Sequence, residues 1–119
     1  MKTPVERISL RKRLALEVSR QVRENNKKLH PLRQLFWECT QRCNIHCKHC
    51  GSDCKSTAEI PDMPAADFLR VIDSLTPHVN PHEVNIIFTG GEPLVRKDLE
   101  EVGQALYHRG YPWSMFTNG

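Results

Sequence analysis

No apolar run in this 119-residue chain approaches the ~20 residues that a membrane-spanning helix needs, so nothing reads as a transmembrane segment. The basic N-terminus is not followed by an apolar stretch with a small-residue cleavage site. No secretory signal is therefore expected, and the cytoplasm is the default location. Cysteine is missing from every position outside Cys39–Cys54. Five thiols confined to that window argue against a disulfide framework, which spreads an even count along a secreted chain. They point to metal or redox use. Repeats and low-complexity tracts are also absent, and the length has room for one modest domain.

Charge is unevenly placed. Residues 1–30 hold nine Lys or Arg and three Glu, a net of +6, while residues 31–119 hold eight Lys or Arg and eleven Asp or Glu, a net of −3. The basic character belongs to an N-terminal extension, residues 1–31, and not to the cysteine-bearing part, residues 32–119. Val5 to Lys28 reads as an amphipathic helix, with Leu10, Leu14, Val18 and Val22 every four residues. Such a helix reads first as one laid by its apolar stripe across a fold. The alternative is a surface that meets an acidic peptide, nucleic acid or lipid headgroups. Nucleic acid is not the expected partner of the chain as a whole.

From residue 32 onward, strand-like and helix-like runs alternate. Leu35-Phe36-Trp37 leads to Cys39 as a first strand, and Ala65 to Leu75 carries Phe68, Val71, Ile72 and Leu75 at helical spacing. Val84 to Thr89 is a β-branched and aromatic second strand. Asp98 to His108 is helical and stops at Gly110. Tyr111 to Phe116 is a third strand, with Pro112 at its start because proline cannot donate to a ladder. The alternation predicts βαβ units and a parallel sheet, with chemistry gathered beyond the C-terminal strand ends. Each strand end carries something unusual: the cysteines, then Gly90-Gly91-Glu92-Pro93, then Thr117-Asn118-Gly119. His78 and His82 are four apart, but Pro77 and Pro81 are expected to break any helix that would align them.

Cys43, Cys47 and Cys50 have the spacing Cys-x3-Cys-x2-Cys in a loop after the first strand. Three thiolates leave one iron of a four-iron cluster without a protein ligand, and an open position is where chemistry takes place. A zinc site completed by His46 or His49 is an alternative, although no second Cys-x2-Cys hook exists. Buried inert thiols and a Cys47–Cys50 redox pair are others, but the thioredoxin-like surroundings of such a pair are missing. Cys39 and Cys54 fit reduced, packed thiols better than extra ligands. Arg42 and Lys48 read as solvated flanks.

Together, Cys43-x3-Cys47-x2-Cys50 with Glu38-Cys39-Thr40 and Asn44, Gly90-Gly91-Glu92-Pro93, and Thr117-Asn118-Gly119 resemble the ordered motifs of the radical S-adenosylmethionine (radical SAM) superfamily. The resemblance runs from Leu35 to Gly119, and within the superfamily it is nearest the branch that modifies peptides and proteins, whose members often add a SPASM extension. It implies a 4Fe–4S cluster on Cys43, Cys47 and Cys50, and S-adenosylmethionine chelated at the fourth iron. A reduced cluster then breaks the sulfonium S–C5′ bond, and the 5′-deoxyadenosyl radical removes a hydrogen atom from substrate. By the same resemblance, Gly90 and Gly91 would let backbone approach the ligand, Glu92 would meet its ammonium, His49 would neighbour the adenine and Asn118 would touch ligand or hold the turn. It also implies a reductant protein as partner and a peptide or protein substrate, with a small metabolite as the other option. The fold implied is α/β: a partial parallel (βα) barrel, about three of six units, with the later strands in a missing C-terminal half. The rival function is a non-catalytic zinc or iron–sulfur interaction module.

Overall fold

The structure is a computed structural model and describes residues 8–52, 54 and 59–119. Backbone contacts divide the chain into Met1–Pro31 and Leu32–Gly119. The first unit is one helix, α1 (Leu10–Leu29). It starts where the Ser9 hydroxyl accepts from the Lys12 N–H at 3.4 Å, and it stops at His30, whose left-handed φ of 44° breaks the α-helical repeat. Lys27 and Lys28 lie in the last turn, where cations suit the carbonyl end of the helix dipole. Of the predicted start at Val5, positions 5–7 lie outside the described residues.

The second unit is mixed α/β. Its elements run β1 (Gln34–Thr40), α2 (Ala65–Leu75), β2 (Asn85–Gly90), α3 (Leu99–His108) and β3 (Trp113–Met115). The sheet order is β1-β2-β3, parallel throughout, so β1 and β3 are its edges. Three strands form an open sheet, which agrees with part of a barrel and closes none among the described residues. Pro77 and Pro81 do not simply end helical structure. Each enters a short 3₁₀ turn, Thr76–His78 and Pro81–Glu83, because a missing N–H costs nothing in a first turn. Extended Val79 and Asn80 part the two turns, so His78 and His82 share no helix.

Alternation decides which strand residues enter the core. Trp37 and Cys39 of β1 and Ile86 and Phe88 of β2 face α2 and α3, joining Phe68, Ile72, Val102 and Leu106 in one buried cluster. Trp37 stacks on Phe68 with centroids 3.8 Å apart, which fixes α2 against β1. Tyr111 is buried, and its hydroxyl meets the Thr76 hydroxyl at 3.1 Å, closing the far end of the unit. Just past the end of α3, Gly110 has a φ of 82° that lets the Tyr111 N–H return to the Leu106 carbonyl at 3.0 Å. The opposite sheet face carries Phe36, 56% exposed, stacked on Phe116 at 6.5 Å.

Register slips between Glu38 and Thr40, since Glu38 faces Thr89 while Thr40 faces Gly90. The additional residue, Cys39, makes a β-bulge that bends the end of β1. Its thiol donates to the Thr89 carbonyl at 3.4 Å, and the chain enters the cysteine loop directly afterwards.

Core energetics should follow this asymmetry between the two sheet faces. Phe88→Ala is expected to cost about 3–5 kcal/mol in urea unfolding, whereas exposed Phe36→Ala should cost less than about 1 kcal/mol. Equal losses would mean the wrong face has been identified as the core.

Candidate functional site

Because all three strands are parallel, the loops after β1, β2 and β3 emerge from one rim. Backbone contacts bind the first two together. The Gly91 N–H donates to the Thr40 carbonyl at 2.8 Å, and the Glu92 N–H to the Arg42 carbonyl at 2.9 Å. A Cβ on Gly90 would stand 2.2 Å from the Thr40 carbonyl oxygen, and one on Gly91 would stand 2.0 Å from that of Arg42. Gly90 also has φ +123°, outside the range of L side chains. The glycines were expected to make room for a ligand. In the structure, the atoms that exclude a side chain belong to the protein's own backbone.

Glu92 is only 2% exposed. Its Oε1 accepts from the Leu94 N–H at 3.0 Å and the Thr117 hydroxyl at 2.7 Å, and its Oε2 from the Asn118 N–H at 2.7 Å. A carboxylate has about four acceptor positions, so these three leave one, on Oε2, for an incoming donor. Burial raises the carboxyl pKa, but the hydrogen bonds from Asn118, Thr117 and Leu94 together outweigh it and hold it below its ordinary value. Extended Glu92 (φ −107°, ψ 109°) precedes buried Pro93, as the residue before a proline should. The carboxylate thus joins the loop after β2 to the loop after β3. Asn118 completes the ring, its side-chain amide donating to Asn44 at 2.9 Å, next to Cys43.

The cysteine loop begins with the Arg42 N–H on the Thr40 hydroxyl at 3.1 Å. Cys43 is half-buried and Cys47 and Cys50 are exposed, and none of the three is in a disulfide. The Cys50 N–H closes a turn onto the Cys47 carbonyl at 3.2 Å, and exposed His49 sits inside that turn. Three soft sulfur donors on one anchored loop, two of them open to solvent, suit an iron–sulfur cluster. Among the described residues, no three Cys, His, Asp or Glu side chains already converge on a metal position. The donor chemistry fits such a cluster. Cys39 is a different kind of thiol: burial pushes it up to about 11, against the lowering effect of nearby Arg96. Cys54 is buried beside Cys50, and its thiol is likewise raised, by burial first and then by its sulfur neighbours.

Sequence reasoning missed Arg96, a buried cation that ties the end of β1 to the residues around it. Its Nη1 donates to the Cys39 carbonyl at 2.7 Å and the Met63 carbonyl at 3.1 Å, and its Nε and Nη2 grip Asp98 at 2.9 and 2.6 Å. The guanidinium also lies 4.9 Å from the Trp37 ring centroid. Arg42, read as a solvated flank, pairs with Asp62 at 2.6 Å. Asp62 has its pKa raised by burial and lowered more by Arg42, Thr40 and Arg96 together. No spacing in the sequence marks Arg96, because its acceptor Cys39 is 57 positions away.

A model described as Radical SAM superfamily matches residues 37–119. The chain is 34% identical over 85 residues to an Fe-coproporphyrin III synthase of Methanosarcina barkeri, covering 71% of this chain and 21% of that protein. It is 39% identical over 80 residues to a 7-carboxy-7-deazaguanine synthase of Rhodospirillum rubrum, covering 67% and 32%. A PqqA peptide cyclase of Granulibacter bethesdensis is 30% identical, covering 76% and 22%. The chain therefore spans between about a fifth and a third of the length of these relatives. No solved structure is a significant match.

Two substitutions probe the rim. Glu92→Gln should cost about 1–3 kcal/mol near pH 7, because an amide cannot accept all three hydrogen bonds. Since folding lowers the Glu92 pKa, its contribution is complete above the unfolded carboxyl value of about 4.3 and fades as pH falls through the folded value. The variant and the parent should converge in acid, as followed by urea midpoints at several pH values. Gly91→Ala should be more damaging than Gly51→Ala, whose Cβ meets nothing within 4 Å, when thermal unfolding is compared.

Proposed function

The chain belongs to the radical SAM superfamily, and from that premise we propose that it forms the cluster-bearing portion of a radical enzyme. In this reading Cys43, Cys47 and Cys50 hold a 4Fe–4S cluster, and S-adenosylmethionine occupies the iron that they leave open. Bound there, the cluster would supply one-electron reductive cleavage of the sulfonium, and so the hydrogen abstraction that opens the reaction. The observation that carries the reading is the common rim: the thiol loop, the Gly90–Glu92 turn and the Asn118 loop are hydrogen-bonded to one another.

The protein's own residues then have distinct tasks. The spare position on Glu92 Oε2 would accept from the ligand's ammonium, with the carboxylate kept ionised by its three existing donors. Asn118 positions both Glu92 and Asn44, and His49, in the exposed turn between two ligands, would neighbour the adenine. Lys48 would add positive charge beside an anionic cluster, whereas Arg42 is already paired with Asp62. The three parallel strands would form about half of a closed barrel, the remainder coming from further βα units. A reductant protein would deliver the electron.

For the substrate, the relatives' names divide among tetrapyrrole, nucleotide and peptide chemistry, so what they share is the way the reaction starts. The peptide or protein substrate rests on the context of Glu38-Cys39-Thr40 and Asn44, and one relative is named a PqqA peptide cyclase. Relatives named for heme synthesis support a small-molecule substrate instead. Among the described residues no helix is long and apolar enough to cross a membrane, which accords with the proposed cytoplasmic site of action.

Anaerobic reconstitution with iron and sulfide tests this reading. A brown protein with about four iron atoms is expected, and Cys43→Ala, Cys47→Ala or Cys50→Ala should each abolish it. Cys39→Ala should keep the iron, because that thiol packs in the core. Stoichiometric zinc without iron, or equal iron loss in Cys39→Ala, would overturn the assignment.

A further inference from the structure

The proposed reaction gives Thr117 no task, yet its hydroxyl makes a short hydrogen bond to Glu92, 2.7 Å to Oε1. The direction of that bond is fixed. An ionised carboxylate only accepts, so the hydroxyl donates its single hydrogen, while the Gly119 N–H occupies the hydroxyl oxygen at 3.1 Å. The Leu94 N–H also donates to Oε1 at 3.0 Å, which fills both positions on that oxygen. Oε2 accepts only from the Asn118 N–H, at 2.7 Å. Two consecutive residues after β3 thus grip the two oxygens separately and set the plane of the carboxylate.

The charge of the donors matters as much as their placement. All three are neutral, and among the described residues no Lys, Arg or His forms an ion pair with Glu92. A carboxylate that is 2% exposed and held ionised by neutral groups keeps its charge for an arriving cation. With one open position it suits the point charge of an ammonium and cannot hold a guanidinium fork by both oxygens.

We propose that Thr117 is a positioning residue that acts through Glu92: by filling Oε1, it leaves Oε2 as the one oxygen that receives a primary ammonium. Without the hydroxyl, Oε1 would open as well, the carboxylate would be freer to turn, and the ammonium would have two places to sit. That this ammonium belongs to S-adenosylmethionine rests on the function proposed above; the grip on Oε1 does not.

The test uses the full chain in two variants. Thr117→Val removes the hydroxyl and keeps the side-chain shape, Thr117→Ser keeps the hydroxyl, and the exposed position spares the core in both. The first readout is carbon-13 NMR of glutamate carboxyls in iron-free chain, with the Glu92 signal identified by its loss in Glu92→Gln. Loss of a donor to the ionised form should raise the Glu92 pKa in Thr117→Val, while Thr117→Ser should titrate like the parent. The second readout is calorimetric binding of S-adenosylmethionine to the iron-loaded chain. Thr117→Val should bind about tenfold more weakly, the worth of roughly one hydrogen bond, with iron content unchanged, and Thr117→Ser should match the parent. An unchanged Glu92 titration in Thr117→Val, equal weakening in Thr117→Ser, or loss of iron from Thr117→Val would each overturn the proposal. A raised titration that serine corrects, in a parent that loads iron but ignores S-adenosylmethionine, would support the grip on Oε1 and contradict the ligand assignment instead.

Discussion

The rim depends on one close approach, that of the Gly90-Gly91 backbone to the Thr40 carbonyl at the end of β1 and the Arg42 carbonyl just beyond it. Only bare backbone can lie there, since either Cβ would come within 2.2 Å of a carbonyl oxygen. That contact extends the β1–β2 pairing past the sheet and sets the direction in which the cysteine loop departs. The bulge at Cys39 contributes to the same end, turning β1 so that Thr40 is buried and the following residues clear the sheet. Loop placement is therefore a property of strand pairing, and the loop's own sequence is left free to carry thiols.

Buried charge does the rest. Glu92 and Arg96 are both nearly inaccessible, and each bonds groups distant in sequence as well as near ones. Such groups stabilise little in net terms, because desolvation offsets most of what their hydrogen bonds return. Their value is positional. Glu92 fixes the β3 loop to the β2 loop, while Arg96 fixes Cys39 and Met63 to Asp98. A site proposed to bring three thiols around a cluster would gain from rigid surroundings, which these two side chains would supply.

Much of this was legible in the sequence, for stated reasons. Helix α2 runs from Ala65 to Leu75 as its apolar spacing indicates, because Phe68 and Ile72 both reach the core. Strand β3 is shorter than expected, since only Trp113 to Met115 find a ladder partner in β2. Strand β1 extends at both ends for the opposite reason: its pairing with β2 begins at Gln34. The presence of the three motifs at strand ends could be read from the chain, and the family match over residues 37–119 agrees with it. What periodicity could not supply is why Gly90 and Gly91 are glycines, or that Glu92 faces inward. Those facts depend on the approach of Thr40 and Arg42 to the two glycines and of Thr117 and Asn118 to Glu92, which only folding brings about.

The account stands on three thiols holding a cluster whose remaining iron is free to bind S-adenosylmethionine. Mössbauer spectroscopy of the chain loaded anaerobically with iron-57 addresses this directly. One iron in four should change its isomer shift and quadrupole splitting when S-adenosylmethionine is added, with the other three unmoved. A spectrum in which no iron responds would contradict the open site, and so would one showing all four irons held equally by protein sulfur.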